Sequence, residues 1–219
     1  MPATPAGRRP IKARDSRWAA TMAGALARAG IRPNTISIFS AVFAAGSGLC
    51  LAWTTRVDGI PAAILFLAGA VGIQLRLLCN LFDGMVAIEG GFKTKTGDIF
   101  NDLPDRFADV FVLVGCGYAA ATLPGGVMLG WLASVLAVGT AYVRAFGASV
   151  GVGQCFIGPM AKQHRMAVIT GASVLAAALA RSAYPAQIMR VALAIVALGA
   201  LITIVRRTVW IARALEARP

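Results

Sequence analysis

Apolar residues fill most of the chain in six long runs, and a short polar or glycine- and proline-containing segment separates each run from the next. The runs cover about residues 35–54, 61–89, 98–123, 127–150, 166–181 and 187–210. Their lengths lie near the ~20 residues that a helix needs to cross a bilayer. We therefore predict an all-α integral membrane protein with six transmembrane helices.

The first part of the chain has a different pattern, because it is basic and interrupted by prolines. Within it, Trp18, Met22 and Leu26 recur at helical spacing with arginines nearby, which predicts an amphipathic helix at the membrane interface. No apolar core precedes a small-residue cleavage site, so we expect no signal peptide. The predicted organisation is a basic N-terminal segment, 1–34, followed by a six-span domain, 35–219.

Charge placement predicts the orientation of the bundle. The net charge is +12, but no basic stripe interleaved with aromatic residues indicates a nucleic-acid surface. The basic residues concentrate at both termini and in the segments after the second and fourth spans. The positive-inside rule therefore predicts cytoplasmic termini in a cytoplasmic (inner) membrane. It also turns the polar ends of the second and third spans toward the cytoplasm.

Six of the nine acidic residues lie between Asp83 and Asp109. Buried carboxylates in membrane helices are costly and usually mark a functional site. Polar residues at spacings of three and four share one face on each of the second and third spans: Asn80 and Asp83, then Asp98, Asn101, Asp102, Asp105 and Asp109. We expect two spans joined by a short loop to be antiparallel neighbours. Their oxygens would then converge on a site suited to Mg²⁺, Mn²⁺ or Ca²⁺.

Three interpretations of this acidic cluster remain open from the residues alone. A divalent ion that also touches substrate phosphates would support phosphoryl transfer, with Lys93 and Lys95 on the loop beside it. The carboxylates would alternatively pair with Arg76, Arg106 and Arg144 to hold the bundle together. Cation transport is the third interpretation, and it is disfavoured because the acids do not recur across several spans.

The same residues resemble the signature of the CDP-alcohol phosphotransferases, Asp-x2-Asp-Gly-x2-Ala-Arg-x8-Gly-x3-Asp-x3-Asp. Every spacing of that signature agrees with this chain. Five of its eight identities are present: Asp83, Gly84, Ala87, Gly97 and Asp105. Three positions differ: Asn80, Ile88 and Asn101.

The resemblance implies a membrane enzyme of phospholipid biosynthesis. An alcohol hydroxyl would attack the β-phosphate of a CDP-linked donor, and CMP would leave. CDP-diacylglycerol is the expected donor, with a soluble CDP-alcohol as the alternative, and the acceptor alcohol stays open. The family uses two divalent ions, so Mg²⁺ or Mn²⁺ is the expected cofactor. A homodimer is a further expectation from the family.

The resemblance also implies roles for individual residues. Asp105 would be the general base and also a metal ligand. The remaining metal ligands would be Asp83, Asn80 and Asn101. Gly84 and Ala87 would line the cytidine diphosphate pocket, and Gly97 would let the loop approach it. Basic residues are expected to hold phosphates: Lys93, Arg144, Lys162 and Arg165.

The departures from the signature lead to two further hypotheses. Asn80 and Asn101 bring no negative charge, so we hypothesise that Asp102 or Asp98 supplies it and that Asp102 is a further metal ligand. The alternative is a catalytically impaired relative that binds nucleotide or lipid and acts as a membrane partner.

Overall fold

The computed structural model describes residues 16–90 and 97–218, without the side chains of Glu89, Asp98 and Asn101. In this part of the chain the structure is entirely helical, with seven α-helices, a short 3₁₀ turn and no strand. The helices are α1 (Arg17–Arg28), α2 (Pro33–Trp53), α3 (Ile60–Glu89), α4 (Gly97–Ala119), α5 (Gly126–Ser149), α6 (Lys162–Ala178) and α7 (Pro185–Glu216).

Four of the helices in the described ranges are long and apolar enough to cross a membrane: α2 with the turn that follows it, α3, α5 and α7. The protein is therefore an integral membrane protein. The other two predicted spans correspond to α4 and α6. α4 carries the charged residues of the acidic cluster, and the 17 residues of α6 extend only about 26 Å, less than the ~30 Å hydrocarbon core. Six crossings therefore stay a prediction.

Helix α2 lies at the centre of the acidic half of the fold. It packs along both α3 and α4, whereas α3 and α4 contact each other little. Glycines allow this packing, because a Cβ on Gly48 would overlap the carbonyl of Phe111, and one on Gly115 would overlap the backbone of Gly48. The expectation that α3 and α4 are direct neighbours is therefore replaced by an arrangement in which α2 supports both.

Helix α1 packs against α3 through its small residues. Ala19 and Ala23 are fully buried in a cluster with Val86, while Trp18 and Met22 on the same helix are about half exposed. This division into a packed face and an exposed apolar edge is compatible with a helix at a membrane interface. The position of α1 on the membrane stays a prediction.

Candidate active site

The polar residues of α3 and α4 meet at the ends that the short connection joins. Nδ2 of Asn80 donates to Oδ1 of Asp105 at 2.8 Å, which links the two helices. Helix α2 supplies two serines to the same place: Ser37 donates to Oδ2 of Asp83 at 2.9 Å, and Ser40 donates to Oδ1 of Asn80 at 2.9 Å. Three helices therefore position one cluster of oxygen-rich side chains.

Asp83 is a buried carboxylate without a direct cationic partner. It is 3% exposed, and none of the described residues places a basic nitrogen within 4.0 Å of it. Its neighbours are the Ser37 hydroxyl and the backbone N–H of Gly84, and it interacts electrostatically with Asp105 and Lys162. A buried anion is costly unless a cation or several donors compensate it, so Asp83 suits a bound metal ion.

Asp105 is surrounded by positive charge. Nζ of Lys162 donates to its Oδ2 at 2.5 Å. Two arginines lie farther away, Arg76 at 3.6 Å from Oδ1 and Arg106 at 3.8 Å from Oδ2. With Asn80 on Oδ1, both carboxylate oxygens have a hydrogen-bond partner. A substrate hydroxyl or a metal ion at Oδ2 would have to displace the lysine.

Asp102 lies at the edge of the cluster, with its side chain half exposed. Nη2 of Arg144 donates to Oδ1 of Asp102 at 2.7 Å, and Nη2 of Arg106 donates to the same oxygen at 3.3 Å. Asp102 therefore pairs with Arg106 and Arg144, as expected if the carboxylates bind arginines to hold the bundle together. The hypothesis that Asp102 replaces the charge missing at Asn101 stays a prediction, because the Asn101 side chain is outside the described part.

Among the acids of the cluster whose side chains are described, Asp109 is the most deeply buried, at 1% exposure. Its Oδ1 accepts from Nη2 of Arg76 at 2.6 Å, and its Oδ2 accepts from Nη2 of Arg165 at 2.6 Å. Nη1 of Arg165 also donates to the carbonyl of Met160 and the hydroxyl of Thr140. Arg165, predicted to hold a phosphate, is thus engaged with protein groups, and its substrate role stays a prediction.

The remaining signature residues lie along the same two helices. Gly84 and Ala87 are half-buried on α3 one and two turns beyond Asn80, and Gly97 is the first residue of α4. Ile88 stands where the signature has arginine and is 54% exposed. Lys93 lies outside the described residues. The substrate-binding roles of Gly84, Ala87, Gly97 and Lys93 stay predictions.

The described residues fit a divalent cation in part. Asp83 and Asp105 bring carboxylate oxygens and Asn80 brings an amide oxygen, which are the hard ligands that Mg²⁺ and Mn²⁺ prefer. Among the residues whose side chains are described, no three His, Cys, Asp or Glu form a metal-binding group on their own. A complete coordination sphere would therefore need further oxygens. These would come from substrate, from water, or from Asp98 and Asn101, which lie on α4 with Asp105.

Sequence reasoning missed the contribution of α2. Ser37 and Ser40 hold Asp83 and Asn80, and Ser47 on the same helix donates to the backbone of Gly69 in α3. The available signal was the spacing of three and seven residues within an apolar span, which places these hydroxyls on one face. Such hydroxyls need partners inside a membrane helix bundle, so the spacing predicts a face in contact with polar groups.

No family model matches the chain. An uncharacterized protein of Aquifex aeolicus is 30% identical over 190 residues, 86% of each chain. The phosphatidylinositol phosphate synthase of Mycobacteroides abscessus is 30% identical over 119 residues, which are 54% of this chain and 47% of that protein. This second match spans about half the length of the characterised relative.

Crystal structures of the phosphatidylinositol phosphate synthase of Mycobacterium tuberculosis have the same fold. The structure with bound CDP-DAG superposes with a TM-score of 0.75 at 20% identity, and the match covers 90% of this chain and 94% of that one. The complex with manganese and citrate gives 0.73 at 20% identity, covering 88% of both chains. The chain therefore has the fold of these synthases and carries every spacing of the CDP-alcohol phosphotransferase signature.

Proposed function

We propose that this protein is a divalent-metal-dependent membrane transferase of phospholipid biosynthesis. It moves the phosphatidyl group of CDP-diacylglycerol to an acceptor alcohol and releases CMP. In this reaction the acceptor oxygen forms a bond to the β-phosphorus, and the bond from that phosphorus to the bridging oxygen breaks. CMP leaves with the electron pair of the broken bond.

The observation that carries the proposal is that two buried carboxylates, Asp83 on α3 and Asp105 on α4, lie close enough to interact electrostatically. Both carboxylates are buried, both occupy signature positions, and Asp83 has no basic partner within 4.0 Å among the described residues. A divalent cation at such a site supplies charge neutralisation for the phosphates and the leaving group. The M. tuberculosis synthase, which has the same fold, contains CDP-DAG in one crystal structure and manganese in another. These two complexes support CDP-diacylglycerol as the donor and a divalent metal as the cofactor of this protein.

Asp105 is the proposed general base. It lies on the α4 face that meets Asn80, and its Oδ1 is already oriented by that amide. Its Oδ2 is then the oxygen that takes the proton of the acceptor hydroxyl as the new bond forms. Lys162 must leave Oδ2 for this step, and its side chain, 27% exposed, is free enough to turn toward a substrate phosphate.

An acceptor that itself carries a phosphate suits the rim of the site. Arg106, Arg144 and Lys162 line the partly exposed edge, with side chains 20%, 24% and 27% accessible. Arginine and lysine in this setting bind phosphate through charge-assisted hydrogen bonds. The relative from M. abscessus is a phosphatidylinositol phosphate synthase, which supports a phosphorylated acceptor. A neutral alcohol would offer no phosphate to these cations.

The proposed topology follows from charge. We assign six membrane crossings to α2–α7, with α1 at the interface and both termini in the cytoplasm, because basic residues favour that side. The connection between α3 and α4, and with it the site, then faces the cytoplasm, where CMP and soluble alcohol phosphates are available. A homodimer remains part of the proposal from the family resemblance.

The test uses the full chain, purified in detergent and reconstituted with CDP-diacylglycerol. CMP release is measured with MgCl₂, MnCl₂ or EDTA and with a panel of acceptors: glycerol 3-phosphate, inositol phosphate, inositol and serine. Asp83→Asn and Asp105→Asn are the active-site variants. Asp58→Asn is the matched control, because Asp58 is exposed at the opposite end of α3.

We expect metal-dependent CMP release that requires a phosphorylated acceptor. Each active-site variant should lower kcat by at least about a hundredfold, the usual scale for loss of a general base, and Asp58→Asn should be unaffected. Absence of CMP release with every acceptor in either metal would contradict the proposed activity. Release with serine or inositol only would leave the transferase assignment intact and overturn the phosphorylated acceptor.

A further inference from the structure

Asp109 is a charged residue of the cluster that the signature does not include. It lies one helical turn beyond Asp105 on α4 and joins three helices, because Arg76 comes from α3 and Arg165 from α6. Each carboxylate oxygen holds one guanidinium at 2.6 Å. The three side chains are almost fully buried, so this pairing operates with little screening by water.

Arg76 lies within reach of two carboxylates and is closer to one of them. Its Nη2 is 2.6 Å from Oδ1 of Asp109 but 3.6 Å from Oδ1 of Asp105. The other guanidinium nitrogens of Arg76, Nε and Nη1, have no hydrogen-bond partner among the described residues. Asp109 therefore provides the shortest polar contact of Arg76 and determines where this buried cation lies.

Without Asp109, the charge around Asp105 would become more positive. Arg76 and Arg165 would keep their positive charges, because arginine stays protonated in proteins. Arg76 would then have Asp105 as its nearest carboxylate, beside Lys162, which is already bound there. A carboxylate held by two cations is a poor ligand for a third, because a divalent ion approaching it meets their repulsion.

We propose that Asp109 is a positioning residue of the metal site. It holds the buried Arg76 guanidinium closer to itself than to Asp105, so that a divalent cation meets less positive charge at the Asp105 carboxylate. This inference rests on the proposed function, because it takes Asp105 as a metal-site residue. A purely structural role, in which Asp109 only staples α3, α4 and α6 together, is the competing explanation.

The experiment measures Mn²⁺ binding to the purified full chain in detergent, without substrate, from the EPR signal of free aqueous Mn²⁺. The variants are Asp109→Asn, Asp109→Glu, Arg76→Gln and the double variant Arg76→Gln/Asp109→Asn, with Asp58→Asn as control. Thermal unfolding of each variant in EDTA shows whether it folds. The double variant is decisive, because it removes the arginine that Asp109→Asn releases.

We expect Asp109→Asn to raise the dissociation constant of Mn²⁺ about 10- to 100-fold, the range found for outer-shell partners of metal ligands. Asp109→Glu should restore most of the affinity. The double variant should bind Mn²⁺ more tightly than Asp109→Asn, even where it unfolds at a lower temperature. A purely structural role predicts instead that Mn²⁺ affinity follows folding stability across the variants, because removing Arg76 also relieves the cost of an unpaired buried charge.

Two results would overturn the inference. One is a folded Asp109→Asn protein that binds Mn²⁺ as tightly as the wild type. The other is a double variant no better than Asp109→Asn. If Asp109→Asn does not fold, Arg76→Gln alone decides, since it should tighten Mn²⁺ binding, and equal or weaker binding contradicts the inference. CMP release is measured in a separate assay. If the protein releases CMP in a metal-dependent way but Asp109→Asn binds Mn²⁺ with unchanged affinity, this inference is rejected and the proposed function stands.

Discussion

Asn80 and Asp105 are joined by a hydrogen bond of 2.8 Å between Nδ2 of the amide and Oδ1 of the carboxylate. The other end of the amide is also used, because its Oδ1 accepts from Ser40. An aspartate at position 80, as in the family signature, would place two carboxylates in contact where one amide donor now lies. Asn80 therefore lets α3 and α4 meet without a cation, at the expense of one negative charge in the metal site.

Restoring the signature at this position should separate the two effects. We expect Asn80→Asp to raise Mn²⁺ affinity about tenfold, because ligand charge count tunes the affinity of carboxylate sites. In EDTA the same variant should lose about 1–3 kcal/mol of unfolding free energy, since it buries an unpaired charge beside Asp105. Mn²⁺ titration and thermal unfolding with and without EDTA measure both quantities.

Asn80→Ala is the control for that change, because it removes the hydrogen bond and adds no charge. It should lower stability in EDTA and leave Mn²⁺ affinity equal or weaker. If Asn80→Asp binds Mn²⁺ no more tightly than the wild type, position 80 does not contribute to the metal site.

Ser37 is expected to matter mainly in the metal-free protein. Its hydroxyl is the side-chain donor to the buried carboxylate of Asp83. Ser37→Ala should therefore cost about 1–2 kcal/mol of unfolding free energy, and saturating Mn²⁺ should recover part of that loss by compensating Asp83 directly.

Ser47→Ala provides a matched comparison on the same helix face. Ser47 donates to the carbonyl of Gly69 at 2.7 Å, away from the acidic cluster. This variant should lose stability to a similar extent, with no recovery beyond that of the wild type when Mn²⁺ is added. If Mn²⁺ stabilises both variants to the same extent, Asp83 does not take part in the metal site.

Lys162 should couple metal binding to substrate binding. Its ammonium lies 2.5 Å from Oδ2 of Asp105, so metal and lysine compete for the negative charge of the same carboxylate. Lys162→Met should raise Mn²⁺ affinity about fivefold or more without substrate, at the lower end of typical coupling energies. It should also raise KM for the phosphorylated acceptor, because the anion loses a partner.

The coupling has its own readout. In the wild type, inorganic phosphate should tighten Mn²⁺ binding by drawing Lys162 away from Asp105, and in Lys162→Met this enhancement should disappear. Arg181→Met, an exposed substitution at the far end of α6, serves as the control. Unchanged phosphate enhancement in Lys162→Met would contradict the exchange of partners.

The helices themselves were largely predictable from the sequence. The apolar run 61–89 corresponds to α3 (Ile60–Glu89), and the run 127–150 corresponds to α5 (Gly126–Ser149), because proline and glycine delimit both. α7 (Pro185–Glu216) continues past the predicted end at residue 210, because Arg206, Arg207 and Arg213 interrupt the apolar run without ending the helix. Periodicity and end signals are local properties, so sequence reasoning captures them well.

The contacts between helices were much less predictable. Asp83 and Asp105 were selected by spacing, but their partners Ser37 and Lys162 lie 46 and 57 residues away from them in the chain. The sequence suggests Arg76 as a partner of the carboxylates, but nothing in the spacing of Asp109 indicates that Arg76 and Arg165, from two other helices, converge on it. Such pairings depend on how α2 and α6 pack, which a single sequence does not state.

The support that α2 gives to α4 can be tested through its glycines. A Cβ at Gly48 would overlap the Phe111 carbonyl in α4, so Gly48→Ala must push the two helices apart. Overpacking of this kind costs about 1–3 kcal/mol of unfolding free energy. Because α4 also carries Asp105, the same variant should weaken Mn²⁺ binding.

Gly46→Ala is the matched control two residues away, where an added Cβ meets nothing within 4 Å. We expect that variant to be neutral or more stable, since alanine favours helix over glycine. Thermal unfolding of both variants compares the two positions, and equal stability would show that α2 and α4 do not approach each other at Gly48.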